Sequence, residues 1–441
     1  MSDRLLSTPF IGQSTAASRT HASTTHPAPL SGIAPTEASP PLAFSPDSAA
    51  PRIHVYPLRF TGTGGEYFRI WIVNLLMTLV TLGLYYPWSK VRRLRYFLGH
   101  TEIDGRPLDF HADPRRMLRG FLLVSLMMGL YVVAGRVSPT AGAIAGLLVA
   151  LIWPALMRAS LQFRMSQTSW SGLRLAFRGS MWDAYLVFLV PLAMAVGVLC
   201  LGLLAFALLP KHGGFAAPLV MGFGGLLSWA LLAPYVWLRL KRFQHANYAI
   251  GHLQTGFRAR YGQAMRLFAK TAGISVAIVL VGMALVGLFG ALSGGFAPSA
   301  DALAQSDPTK ARANQVSAVL AWLMPAFFLV ILLNQAVVGP FFTATAQNLV
   351  WTETGNRRIR FKSHLSRKRY VGLAALNWLL TLLSLGLYWP FASVTLARAR
   401  VQAMEIHARM PLDSLVGQAR SASQDATGDL AADLIGIDFG L

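Results

Sequence analysis

Metal-binding residue types are concentrated in one short stretch of the chain, residues 100–113. A β-hairpin places alternate residues on one face, so His100, Glu102 and Asp104 could converge on one divalent cation, as could Asp109, His111 and Asp113. A second stretch with a similar turn, residues 167–177, contains no acid and no histidine. We therefore expect the acids to balance neighbouring arginines, and we keep His100, Asp104 and His111 only as weak metal candidates.

Four amide side chains lie inside apolar segments, where an unpaired amide is energetically costly. Asn74 and Asn377 occupy matching places in two similar segments, and Asn334 and Gln335 adjoin each other in a third. These amides either line the path of a substrate or ion, or form polar contacts between helices. We favour the second interpretation, because interhelical amide bonds are common in membrane proteins.

No motif in the chain matches a catalytic or cofactor site. Gly62, Gly64 and Gly65 precede a predicted helix, as in a phosphate-binding loop, but no Walker lysine follows and Glu66 would repel a phosphate. Neither a Gly-x-Ser-x-Gly nor a His-Glu-x-x-His sequence occurs. The single cysteine, Cys200, excludes an internal disulfide and a site with several thiolates. We expect no enzymatic activity and no cofactor.

Composition places these residues in a membrane protein. Hydrophobic residues make up 54% of the 441 residues and charged residues 13%, whereas a soluble domain carries about 25% charged residues. Uncharged runs such as 185–210 and 271–298 exceed the roughly 20 residues that span a hydrocarbon core. The sequence therefore predicts a polytopic membrane protein.

The net charge of +21 comes from Lys and Arg in short loops that flank the apolar runs. The positive-inside rule places such loops in the cytoplasm, so we expect anionic lipid headgroups as partners and no nucleic acid. A protein partner and the oligomeric state are not indicated. The candidate headgroup residues are Arg92, Arg93, Arg95, Arg239, Lys241 and Arg242.

A recurring unit is predicted along the chain. In each copy an apolar run ends at a proline, continues as a basic helix, passes a Gly turn and reaches a phenylalanine. The prolines are Pro87, Pro154, Pro234, Pro340 and Pro390, and the phenylalanines are Phe110, Phe177, Phe257 and Phe361, with Phe60 opening the first copy. Asp104–Gly105 and Ser171–Gly172 are typical of tight turns, so each copy is predicted to carry a small cytoplasmic β-hairpin.

The unit divides the chain into a membrane domain between two tails. Residues 1–51 are rich in Ser, Thr, Ala and Pro and are predicted to be a disordered tail, and 413–441 form a C-terminal tail. Residues 52–412 form the membrane domain. Its units lie near 53–110, 111–177, 178–257, 258–361 and 362–410.

Six full crossings are predicted, and both termini then face the cytoplasm. The crossings are 118–135, 140–158, 184–209, 215–238, 271–293 and 316–339. The first and last units have basic residues on both sides of their apolar runs, so each is predicted to be a short re-entrant hairpin; eight ordinary crossings are the alternative. Interfacial aromatic residues and helix breaks mark these hairpins at Tyr85, Tyr86, Pro87, Trp88, Tyr388, Trp389 and Pro390.

The two terminal units resemble the YjgN family, a bacterial inner-membrane family of unknown function. The resemblance is carried by Phe60, Gly62, Gly64, Gly65, Glu66, Tyr67, Phe68, Asn74, Leu84, Tyr85, Tyr86, Pro87, Trp88 and 92–96, and by 369–372, Asn377 and 388–391. It covers about 53–410 and implies an inner-membrane location, with no established activity.

We therefore expect an all-α polytopic membrane protein, with about six transmembrane helices, two short hairpins, small β-hairpins and internal repeats. The leading functional hypothesis is a transporter or pore for a small solute or lipid, because re-entrant backbone usually lines a cavity. The alternative is a non-catalytic scaffold that binds anionic lipid or a protein through its basic cytoplasmic face. A lipid-modifying enzyme would need the acids and histidines of 100–113 to converge.

Overall fold

The computed structural model describes residues 53–208, 216–292 and 308–425, so the predicted tail 1–51 lies outside the described residues. Helices α1 to α11 are Gly64–Val80, Tyr86–Gly99, Pro114–Val137, Pro139–Ser166, Met181–Leu208, Ala216–Ala246, Tyr261–Leu292, Pro308–Thr352, Arg367–Leu383, Trp389–Gln402 and Leu412–Asp425. Strands β1 to β11 are His54–Phe60, Thr101–Ile103, Arg106–Phe110, Thr168–Trp170, Leu173–Phe177, Tyr248–Ile250, Leu253–Gln254, Gly256–Phe257, Thr354–Gly355, Ile359–Ser363 and Met404–Ala408.

The strands join into one 11-stranded antiparallel sheet, so the prediction of an all-α fold is wrong. Its order is β7-β6-β5-β4-β3-β2-β1-β11-β10-β9-β8. The predicted hairpins do form, but their strands also pair with strands from other parts of the chain; β1, for example, pairs with β11, with His54 opposite Ala408. A local sequence pattern shows a hairpin and its turn, whereas pairing between strands so far apart in the chain leaves no local signature.

The sheet is nearly closed into a ring. Its two end strands, β7 and β8, are consecutive in the chain and only Thr255 separates them. Leu253–Gln254 pairs with β6, and Gly256–Phe257 pairs with β9. Strands β3 and β5 divide their pairing between two neighbours in the same way. We call this sheet the strand ring.

Two tight turns fold as the sequence predicts. Asp104 and Gly105 have φ values of 54° and 71°, and Ser171 and Gly172 have 50° and 78°. Positive φ at both central residues is the requirement of the two-residue hairpin turn whose twist matches that of the strands. Glycine adopts this conformation without the steric cost that a side chain brings, which explains the Gly in second position.

Within the described residues, five helices are long and apolar enough to cross a membrane: Pro114–Val137, Pro139–Ser166, Met181–Leu204, Tyr261–Leu292 and Phe327–Thr352. Five of the six predicted crossings overlap these spans. The sixth, 215–238, falls in α6, and several side chains near the start of that helix lie outside the described part. Leucines such as Leu126 and Leu147 are 63% and 68% exposed, which suits a surface facing lipid.

The terminal units are helical hairpins, α1 with α2 and α9 with α10. Each turn places a leucine in the left-handed region, Leu82 at φ 49° and Leu385 at φ 50°, and leaves that leucine 95% exposed. An apolar tip of this kind is costly in water and favourable in hydrocarbon. Re-entry of the hairpins into the bilayer stays a prediction.

The helices follow one another around a closed circuit. Each helix from α1 to α9 packs against the next, and α10 packs back against α1. The helices that carry the recurring prolines, α2, α4, α6, α8 and α10, we call the proline helices. Five apolar clusters join α2 to α4, α4 to α6, α6 to α8, α8 to α10 and α10 to α2. The proline helices therefore surround a common axis.

Candidate functional site

Charge on the proline helices is of one sign. These five helices contain no Asp and no Glu, whereas eleven Lys and Arg follow their prolines. The cations are Lys90, Arg92, Arg93, Arg95, Arg158, Arg164, Arg239, Lys241, Arg242, Arg398 and Arg400.

Some of these cations hold neighbouring units together. In five places a side chain of a proline helix donates a hydrogen bond to a backbone carbonyl where the next unit begins. The pairs are Arg95 to Phe110 at 3.3 Å, Arg158 to Gly179 at 2.7 Å, Arg242 to Ala259 at 3.1 Å, Asn348 to Leu365 at 2.9 Å and Arg398 to Gly62 at 2.8 Å. The last of these hydrogen bonds joins α10, at the end of the helix circuit, to the residues just before α1, at its start. Arg95 and Arg242, which were headgroup candidates, thus have a structural role.

A small residue lies two positions after each recurring phenylalanine, a regularity that the sequence reasoning missed. The five residues are Gly62, Ala112, Gly179, Ala259 and Ser363. A Cβ atom on Gly179 would lie 2.6 Å from the Phe177 ring and 2.9 Å from the Phe243 ring. Close packing between units therefore requires the absence of a large side chain there.

The other headgroup candidates differ in their surroundings. Arg92 lies 5.8 Å from the Tyr85 ring, Arg93 lies 5.9 Å from the Phe97 ring, and the Arg239 Nε donates to the Tyr235 hydroxyl at 3.1 Å. Arg92 and Arg95 also line an open groove of about 560 Å³ between α1 and α2, with Arg69 and His100. The matching groove between α9 and α10, about 490 Å³, is lined by Arg369 and Arg398.

A cavity of about 440 Å³ contains polar residues from three of the proline helices. Lys90 of α2, Ser160 and Arg164 of α4, and Gln244 of α6 line it together. The Lys241 Nζ, one turn before Gln244, donates to the Gln244 Oε1 at 3.1 Å. Lys241 therefore lies beside this cavity, whereas its place in a basic loop predicts contact with lipid headgroups.

Lys241 and Arg400 form a second pair of cations beside the first pair, Lys90 and Arg164. The Arg400 Nε donates to the Gln347 Oε1 at 2.8 Å, and the Gln347 Nε2 donates to the Arg400 carbonyl at 2.8 Å. Burial, and then the nearby charge of Arg400, lower the pKa of the Lys241 ammonium. Burial, and then Arg164, lower the pKa of Lys90 in the same way. We call Lys90, Arg164, Lys241 and Arg400, together with Gln244 and Gln347, the cationic cluster.

The cationic cluster lies inside the helix circuit. Lys90 and Gln244 belong to the first and third units, and Lys241 and Arg400 belong to the third and fifth. Units that are not neighbours in a circuit can meet only across its interior. Within the described part of the chain, none of the four cations forms an ion pair with an acid.

The four amide side chains that the sequence places in apolar segments lie outside the cationic cluster. Asn74 and Asn377 are 7% and 4% exposed, and the Asn74 Oδ1 and Asn377 Nδ2 have no hydrogen-bond partner among the residues that the structure describes. Their neighbours Val73 and Leu373, not the amides, line the two hairpin grooves. Asn334 forms an interhelical bond, because its Nδ2 donates to the Ser275 Oγ at 2.7 Å. Asn334 and Gln335 line the polar end of an otherwise apolar cavity of about 860 Å³ between α7 and α8.

The hairpin aromatic residues are partly exposed around buried prolines. Tyr86 and Trp389 are 47% and 48% exposed, as expected for an interfacial position. The Tyr85 and Trp88 rings stack with centroids 5.8 Å apart, and those of Tyr388 and Phe391 stack at 5.5 Å. Pro87 and Pro390 are fully buried beneath them.

The weak metal candidates do not converge. The His100 Nδ1 lies 2.8 Å from the Tyr96 carbonyl oxygen, and the His111 Nε2 lies 2.7 Å from the Ser169 Oγ. Asp104 occupies a hairpin turn. Among the residues that the structure describes, no three His, Cys, Asp or Glu side chains are grouped to hold a metal ion.

His245 connects the cationic cluster to the strand ring and is neutral. Its Nδ1 donates to the Thr354 Oγ1 at 3.2 Å, since that hydroxyl donates to the Val350 carbonyl at 2.6 Å. The ring packs edge-on against Trp351 with centroids 5.1 Å apart. Burial, and then the charge of Lys241, lower the pKa of His245 to about 3.

Acid should destabilise the protein through His245. The unfolded chain, with a His pKa of about 6.5, binds more protons than the folded chain between pH 3 and 6.5, so stability present above pH 6.5 is lost as pH falls. We expect a loss of about 2 kcal/mol at pH 5 from this group. Unfolding of the detergent-solubilised protein measures it, and His245→Gln should reduce the pH dependence by that amount. Parallel pH profiles for the two proteins would contradict the assignment.

Comparison with known proteins gives the family. The profile of a bacterial protein family of unknown function, DUF898, matches residues 55–434. An inner membrane protein YjgN of Salmonella typhimurium is 33% identical over 151 residues, which are 33% of this chain and 37% of that protein. Its namesake in Escherichia coli is 25% identical over 197 residues, 44% of this chain and 50% of that protein.

The matched segments thus span half or less of the length of these relatives. No solved structure matches the chain significantly. The family profile nevertheless covers the helix circuit and, apart from His54, all of the eleven described strands. The sequence prediction of the family is confirmed, and the chain belongs to the YjgN (DUF898) family of bacterial proteins.

Proposed function

We propose that this protein is a transporter or pore of the bacterial inner membrane whose solute path follows the axis of the helix circuit. The closed arrangement supports this proposal, since the proline helices surround one axis and the strand ring is nearly closed on one side of them. Polar and charged residues inside the circuit would be energetically costly without a function. The proposal includes five repeated units around the axis and no enzymatic activity.

The strand ring has a helix packed into it. One apolar cluster contains residues from nine of the eleven strands, Met410, and the buried residues Leu412, Leu415 and Val416 of α11. The Leu412 N–H donates to the Tyr56 hydroxyl at 3.3 Å, and the Arg106 guanidinium lies 2.6 Å from the Asp413 carboxylate. This helix occupies the segment that the sequence analysis assigned to the C-terminal tail. We infer that α11 closes the path at the strand ring.

The strand ring faces the cytoplasm in this proposal. The cations of the proline helices lie after the prolines, next to the strands, and the positive-inside rule places that side in the cytoplasm. Both described ends of the chain, β1 and α11, belong to the strand side. α11 would then be a cytoplasmic closure.

A scaffold is the second candidate, and the outer face of the strand ring favours it. Residues alternate along β1 and β10, so that Arg59, Arg360 and Lys362 are exposed while Leu58 and Phe60 are buried. A basic outer face could bind anionic lipid or an acidic protein without any solute path.

Cysteine accessibility separates the two candidates. We expect Ser160→Cys, in a Cys200→Ser background, to react with a charged, membrane-impermeant thiol reagent, because Ser160 lines the cavity that also contains Lys90 and Arg164. Leu147→Cys on the same helix is the control, since Leu147 is 68% exposed on the apolar surface and should stay unlabelled. The reagent is added to closed vesicles of each orientation.

Labelling of Ser160→Cys together with reagent-sensitive solute flux supports the path. Protection of Ser160→Cys from both sides, including after removal of α11, would refute the path and leave the scaffold.

A further inference from the structure

The cationic cluster has an unbalanced charge. Lys90, Arg164, Lys241 and Arg400 bring four positive charges to the interior of the circuit, and within the described part of the chain no acid pairs with them. Like charges in a partly buried site repel more strongly than in water, because the effective dielectric constant is lower. A site of this kind is stabilised by an anion that enters it.

The donors that remain free point to one class of anion. The Lys241 ammonium uses one proton for Gln244, and the Arg400 guanidinium uses its Nε for Gln347, so the outer nitrogens of the guanidinium and two ammonium protons remain. The Gln244 Oε1 accepts from Lys241, which leaves the Gln244 amide nitrogen as a further donor. Planar guanidinium groups bind the oxygens of phosphate in pairs.

We propose that the cationic cluster binds a phosphate group of an anion that the protein carries or senses. A phosphate monoester, with about two negative charges, would offset about half of the four positive charges, whereas one carboxylate or halide would offset only about a quarter of them. The transport of this anion rests on the proposed function; its binding does not.

Two sources offer the same phosphate chemistry. The cavity beside the cluster continues between apolar residues, including Phe121, Leu156 and Trp153, and Trp153 is 48% exposed at the outer surface. A lipid headgroup could enter by this route with its acyl chains against the apolar wall. A soluble phosphate compound would enter along the axis.

Binding is measured on the full chain in nanodiscs made only of phosphatidylcholine. Radiolabelled inorganic phosphate tests the soluble source, and phosphatidic acid doped into the same nanodiscs tests the lipid source. We expect one of them to raise the unfolding temperature and to bind saturably. Lys241→Gln and Arg400→Gln should each weaken that binding by about 10-fold, the size of one charged hydrogen bond.

Arg239→Gln is the matched control, because Arg239 lies on the same helix as Lys241 but bonds to Tyr235. It should change the affinity less than twofold. Removing Lys241 also removes repulsion with Arg400, so the ligand-free variant should unfold at the same temperature as the wild type or higher. A folded but non-binding variant is therefore expected.

The outcomes separate the two proposals. Binding of phosphate or of phosphatidic acid, lost in Lys241→Gln and kept in Arg239→Gln, supports the site, and the active probe identifies the source. Binding without flux keeps the site and removes the transporter. Failure of both probes to bind, or equal binding by Lys241→Gln and wild type, would overturn the phosphate site.

Discussion

Replacing Leu415 with aspartate will release α11 from the strand ring. Leu415 is 4% exposed in the cluster that joins α11 to the strands. An unpaired carboxylate there costs at least about 3 kcal/mol, which corresponds to roughly 100-fold in the docking equilibrium. A cysteine at Leu173, on β5 beneath α11, reports the change, because it reacts with a water-soluble reagent only when α11 leaves.

The same charge elsewhere on α11 is the control. Gly417→Asp adds a carboxylate at an exposed position, where a Cβ atom would meet no atom of another described residue within 4 Å. We expect Leu173→Cys to react at the wild-type rate in that background and much faster beside Leu415→Asp. If transport is measured, the Leu415→Asp protein should show increased flux. Equal reaction rates in both backgrounds would show that α11 does not cover the ring.

In the strand ring, the sequence predicts the individual hairpins but not the way in which they join. Turn residues such as Asp104 and Gly105 define their hairpins locally, and these hairpins were predicted. The closure at Thr255 was not predictable, because strands of two residues carry no alternation of apolar and polar side chains. Pairing of β1 with β11 brings together the two ends of the membrane domain, and only the assembled circuit fixes that register.

For the cationic cluster, the sequence shows the charges but not the direction in which each side chain points. The absence of acids on the proline helices is visible in the sequence, and the proposed phosphate site depends on it. Which cations face inward is not visible, because helices such as α6 are apolar on nearly every side and have no polar face to orient them. Lys241 was therefore predicted to face lipid, whereas Arg239, two residues earlier, lies outside the cluster.

Gly64 is where closure of the helix circuit can be tested most directly. A Cβ atom on Gly64 would lie 2.5 Å from the Phe391 Cδ1, and Phe391 also stacks on Phe68 at 5.6 Å, so α1 and α10 meet here with no spare space. At Gly65, the next residue, a Cβ atom would meet no atom of the described residues within 4 Å beyond its own stretch of helix. The two glycines thus offer the same substitution with opposite packing consequences.

Gly64→Leu should separate α1 from α10 and open the circuit at the interface that joins its two ends. Overpacking costs about 1 to 3 kcal/mol, and the displaced Phe391 also weakens the Arg398 bond to the Gly62 carbonyl. Gly65→Leu should keep or slightly raise the unfolding temperature, because leucine favours helix over glycine by nearly 1 kcal/mol. The unfolding temperature in detergent and the yield of folded protein measure both variants. Equal stability of the two would mean that α1 and α10 do not close the circuit, and the axial path would then lose its structural basis.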